Sequence, residues 1–220
     1  VLTAALASCT PAPAPEELLT AADLTDVVAT SDRVDHLTFT RTTVTSTVEA
    51  DESSLLANWE EGSGAPDDCL GAFLLPLLQR PDDPGHHDAT GELGYFAAPD
   101  VEGRVVVNTR VFDDVPAARA FLDDALAIAT DCTDGYTLFE NPVAPDGFAA
   151  GPLAGLPGSV EAVLVDGGQV PGGTALRTIY LRRANVVIAL HAELHEAEDV
   201  VDIATIDDLV ATLADRMATL

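Results

Sequence analysis

The stretch from Val101 to Cys132 constrains the fold more than any other part of the chain. Within it Val105, Val107, Thr109 and Val111 alternate with Arg104, Val106, Asn108 and Arg110, the period of an antiparallel strand with one face on a core. A helix follows from Val115 to Cys132. Its residues Ala118, Phe121, Leu122, Ala125, Ile128, Ala129 and Cys132 fall on one stripe, with Arg119, Asp123, Asp124 and Asp131 outside it. Upstream, Pro66 opens a second helix at a position that tolerates proline, with Cys69, Phe73 and Leu77 on one face and Pro76 ending it. Helix, strand and helix frame one domain.

The remaining elements are read around that frame. Thr20-Ala21-Ala22-Asp23 has the form of an N-cap with an acidic residue three positions on, and Leu24, Val27 and Val28 give a short amphipathic helix. His36 to Val48 is rich in Thr and Val and predicts a strand, whereas Asp51 to Ala65 gives at most one turn around Leu55 and Trp59. Arg80 to Gly91 reads as a polar loop, Glu92 to Ala97 and Tyr136 to Phe139 as short strands, and Asn141 to Gly158 as irregular. Strands are expected over Ser159–Val165, Ala175–Arg183 and Val186–Ala192, the last two joined in a tight hairpin with Asn185 suited to a positive φ. A final helix starts near Ile206, capped by Thr205 with Asp208 three residues on. Its stripe is Ile206, Leu209, Val210, Leu213, Met217 and Leu220. The fold class is α+β: a single domain with a meandering, mainly antiparallel sheet and helices packed on it.

Charge excludes some partners. The net charge is −27, and every one of the 10 basic residues is Arg. Such a surface repels phosphate backbones and anionic headgroups, so neither nucleic acid nor a charged bilayer is an expected electrostatic partner. With 47 % hydrophobic residues over 220 positions and few aromatics, the core must be filled by Val, Leu and Ala.

Leu6-Ala7-Ser8-Cys9 closes an apolar, uncharged run and resembles the lipobox of bacterial lipoproteins, in which the cysteine is diacylated and becomes the mature N-terminus. The expected organisation is a signal-peptide remnant at 1–8, a lipidated Cys9 with a Pro-rich tether at 9–17, and a domain at 18–220. The expected location is the extracytoplasmic face of the cell membrane, with the bilayer reached through the anchor only. Cys69 and Cys132 then remain, both predicted inward in a compartment that permits disulfides. A Cys69–Cys132 disulfide is expected, the alternative being two buried, unpaired thiols. A bridge closing a loop of roughly 60 residues would contribute about 4 kcal/mol.

Three segments carry a family resemblance: Asp68-Cys69-Leu70-Gly71-Ala72, Arg104 to Phe112, and Ala117-Ala118-Arg119-Ala120-Phe121-Leu122 running to Asp131-Cys132. With the hairpin Arg182 to Ile188 and the last helix, this layout resembles the extracellular sensor domain of the PknH-type actinobacterial serine/threonine kinases, which also occurs in secreted lipoproteins. The resemblance implies a sheet with packed helices, a cleft, and an unidentified extracellular ligand or envelope protein as partner, with no cofactor. It also implies a second disulfide near the C-terminal hairpin. Here that neighbourhood carries Ile179, His191 and Ala192 instead.

Few constellations suggest chemistry. His191, Glu193 and His195 would share one side of a strand and form a metal site if a further ligand joined them, although surface histidines at a strand end are the commoner arrangement. His86 and His87 with Asp82, Asp83 and Asp88 could hold a divalent ion loosely. Ser159 lacks the Gly-x-Ser-x-Gly elbow, and the pairs Asp123-Asp124 and Asp207-Asp208 read as solvated charge. No catalytic or metal-binding residue is assigned, and the chain is expected not to be an enzyme but a sensor-like binding domain. The alternatives are a module docking an envelope protein and an envelope hydrolase.

Overall fold

Alternating Val-rich segments pair edge to edge in a computed structural model that describes residues 16–20, 22–28, 31–34, 37–44, 89–97, 104–131, 136–138, 141–143, 148–170, 174–195 and 203–220. Strands β1 (Ser31–Val34), β2 (Leu37–Val44), β3 (Ala89–Ala97) and β4 (Arg104–Phe112) form one antiparallel meander. After a separate two-stranded ribbon of β5 (Tyr136–Leu138) and β6 (Asn141–Val143), a second meander is built from β7 (Phe148–Pro152), β8 (Glu161–Val170), β9 (Thr174–Arg183) and β10 (Val186–His195). The two meanders join where β4 pairs with β10. The result is one eight-stranded sheet in the order β1-β2-β3-β4-β10-β9-β8-β7.

Helices cover both sides of this sheet. Helix α1 (Leu24–Val27) and helix α3 (Ile203–Thr219) lie on one side, and α2 (Val115–Asp131) lies on the other. On the α3 side, Val105, Val107, Ile179, Leu181, Val186, Ile188, Leu190 and Ala192 meet Ile206, Leu209, Val210, Leu213 and Met217 in one contiguous apolar core. Leu24, Val27 and Val28 complete it, as their spacing predicts. Asp114 caps α2, its carboxylate accepting the Ala117 amide at 2.7 Å.

The α+β, single-domain expectation holds, and several boundaries move. Ser31–Val34, Asn141–Val143 and Phe148–Pro152 are strands, although the last two fall in a stretch whose Pro and Gly content predicts irregular chain. Pro142 and Pro152 are accommodated because β6 lies in a two-stranded ribbon and β7 at an edge, where a ladder can lack a donor. The polar loop ends sooner than expected, since Ala89 to Gly91 already pair with β4. Strand β8 runs on through Gly167 and Gly168 by means of an irregularity between Asp166 and Gln169. Helix α3 starts at Ile203, so Thr205 is buried inside its first turn rather than capping it.

The hairpin turn also differs from expectation. The positive φ, 49°, belongs to Ala184 and not to Asn185. Asn185 is instead occupied as a buried clasp. Its Oδ1 accepts the Leu19 amide at 2.7 Å, and its Nδ2 donates to the carbonyls of Phe112 at 2.8 Å and Leu19 at 3.1 Å.

Candidate functional site

Strand register places a set of polar groups on the α2 side of the sheet. Glu161, Arg182, Val187 and Arg110 lie in one cross-strand row, Val163, Tyr180, Ala189 and Asn108 in the next, and Val165, Thr178, His191 and Val106 in a third. Helix α2 closes over them through Phe121. Its ring centroid lies 5.4 Å from that of Phe112 and 5.9 Å from that of Tyr180, with the Arg110 guanidinium 5.7 Å above it.

The first row holds an ion network. Arg182 is 2 % exposed, and its Nε and Nη2 each stand 2.8 Å from a different oxygen of the Glu161 carboxylate. This is the two-pronged geometry that matches a guanidinium to a carboxylate. Nη1 of Arg182 donates to the Ala184 carbonyl at 2.6 Å and reaches the Glu16 carboxylate at 3.4 Å. From α2, Arg119 binds the same two acids, at 3.1 Å for Glu161 and 3.8 Å for Glu16. The Arg182 hydrogen bond, aided by the charges of Arg182 and Arg119, holds the Glu161 carboxyl below its ordinary 4.5 against the opposing effect of its partial burial.

In the other two rows Val163, Tyr180, Ala189, Val165, Thr178 and His191 are buried. Burial pushes the Tyr180 phenol well above its usual range, so it stays neutral at any physiological pH. Thr178 has no exposed surface, and its Oγ1 lies 2.8 Å from Nδ1 of His191, itself 3 % exposed. A hydroxyl beside an imidazole is the spacing of a nucleophile and its base. A hydroxyl with no exposed surface, however, does not meet a substrate in this conformation.

Of the sequence-derived candidates, His191, Glu193 and His195 all fall on β10 at alternate positions and so on the same side of the sheet. His191 is not the surface histidine expected at a strand end but an interior one bonded to Thr178. Among the described residues no cluster of three metal-ligating groups forms. Cys9, Cys69, Cys132, His86, His87, Asp82, Asp83 and Asp88 lie outside the described residues; α2 is described up to Asp131, one position before Cys132. At the positions Ile179, His191 and Ala192 the hairpin is closed by ten backbone pairs and by the Thr178–His191 contact. Asp207 is not free solvated charge, since its Oδ1 lies 2.9 Å from Nη1 of the buried Arg177. Sequence reading missed the Arg182–Glu161–Arg119–Glu16 network. The signal for it is the pairing of Glu161 with Arg182, visible only once β8 and β9 are aligned.

No protein-family model matches the chain, and no curated protein does. Among solved structures the chain is similar to the extracellular domain of PknH from Mycobacterium tuberculosis, at 15 % identity and a TM-score of 0.45, covering 92 % of this chain and 93 % of that one. It is also similar to an uncharacterised Mycobacterium smegmatis protein, the Rv0999 ortholog, at 12 % identity and a TM-score of 0.33, covering 89 % of this chain and 94 % of that one.

Proposed function

We propose that the chain is a lipid-anchored, extracytoplasmic sensor-like domain that binds a small ligand or envelope component without chemically changing it. The observation that carries this reading is the unequal use of the two sides of one sheet. The α3 side holds the contiguous apolar core and buries two polar residues of the sheet, Thr109 and Arg177. The α2 side sets Arg110, Arg182, Thr178, Tyr180 and His191 among its apolar residues. Polar groups are costly to bury, and a sheet that only needed stability would place fewer of them under a helix. Binding is favoured over catalysis because the nucleophile-like pair of Thr178 with His191 is sealed. Anchoring and location rest on the lipobox-like Leu6 to Cys9 and on the sensor-domain motifs.

Native mass spectrometry of the protein purified from its host's envelope tests both parts. The expected result is a mature chain carrying acyl groups on Cys9 and a retained small-molecule adduct. A chain with an unmodified Cys9 contradicts the anchoring. A chain without adduct, whose melting temperature no fraction of an envelope extract raises, contradicts the binding.

A further inference from the structure

The first described residues after the Pro-rich tether are pinned to one end of the sheet. Glu16 pairs with Arg182 and Arg119, the backbone of Leu19 is clasped on both its N–H and its C=O by Asn185, and Thr20 closes a turn on the Asp23 carboxylate. Beyond it, α1 sinks Leu24 and Val27 into the core, and the Val27 carbonyl accepts from Arg216 at 3.1 Å. All of these partners belong to the end that carries the β9–β10 turn. Phe112 closes onto Asn185 there, Glu161 starts β8, and Arg183 donates to the Met217 carbonyl in the last turn of α3.

We infer that this end faces the bilayer and that the opposite end, where Thr174 pairs with His195 and α3 begins at Ile203, faces outward. The inference rests on the anchoring reading above. Glu16 follows Cys9 by seven residue steps along the chain. Seven steps of any chain span at most about 25 Å. Along β9 the outward end lies eight residues beyond Arg182, about 27 Å at strand rise. An inverted domain would lift Glu16 higher above the headgroups than its tether reaches. The tether length therefore selects the orientation, and a ligand arriving from outside meets the outward end first.

The test uses the lipidated full chain in phosphatidylcholine vesicles whose headgroups carry a rhodamine acceptor. A fluorescent amino acid is introduced as donor at Ser159, exposed beside Glu161, or at Ile203, exposed at the other end. Stronger energy transfer from position 159 than from 203 is expected. Inserting twelve Gly and Ser residues after Thr10 should narrow the difference without changing the melting temperature. Equal transfer, stronger transfer from 203, or a difference that survives the insertion overturns the orientation while the protein still floats with the vesicles. A chain that carries no acyl groups and fails to float overturns the anchoring reading and the orientation with it.

Discussion

At the scale of single residues, the hairpin turn concentrates the tightest requirements. Asn185 satisfies three backbone groups of two distant segments, Leu19 and Phe112, at a position 3 % exposed. Replacing Asn185→Ala leaves those groups without their partner and should cost about 2–3 kcal/mol in urea denaturation. A loss below about 0.5 kcal/mol would contradict the clasp. Ala184 sits at φ 49°, where its Cβ is strained. Ala184→Gly should therefore raise stability by up to about 1 kcal/mol, and a clear loss would argue against that backbone. Glu161 gives a pH-dependent term. Its folded pKa is depressed, first by the Arg182 hydrogen bond, so its contribution is fully present above the ordinary value of 4.5 and is lost as pH falls through the folded value. Because Glu161 is half-exposed, Glu161→Gln should cost only about 1–2 kcal/mol at pH 7. Melting curves of wild type and variant should converge in acid; a gap that persists there would show that the pair acts through packing, not charge.

At the scale of elements, strong periodicity was legible and weak periodicity was not. The apolar stripes of α2 and α3 and the alternation of β4 name most of the residues that these three elements bury, because a single-sided environment writes its period into the sequence. Leu213, on the α3 stripe, has no exposed surface; Leu213→Ala should cost about 2–5 kcal/mol, and a loss under about 1 kcal/mol would remove α3 from the core. Strands β6 and β7 were hidden because Pro and Gly at a ribbon or sheet edge read as loop. Gly167 and Gly168 concealed the continuation of β8 in the same way. The first helical turn of α3 was misplaced because Thr205 and Asp208 imitate a capping box one turn too late.

At the scale of the whole molecule, the pairing of β4 with β10 makes one sheet out of two meanders. Nothing local to either strand announces it, and a connection through α2, β5, β6 and the entire second meander separates them. The candidate site depends on that pairing, since it brings Arg110 into line with Arg182 and Glu161, and Val106 into line with His191 and Thr178. For this reason the motifs around Cys69, Arg104 and Ala117 suggest a sensor-like domain without indicating which side of its sheet carries the polar groups. On the proposed function the α2 side reads the ligand and the α3 side is the scaffold. Amide chemical-shift mapping of the isotope-labelled full chain, titrated with a fractionated extract of the host's envelope, tests this most directly. Shifts gathered on α2 from Ala118 to Ala129 are expected, with α3 from Leu209 to Met217 unmoved; shifts confined to α3, or none with any fraction, would contradict this division of the two sides.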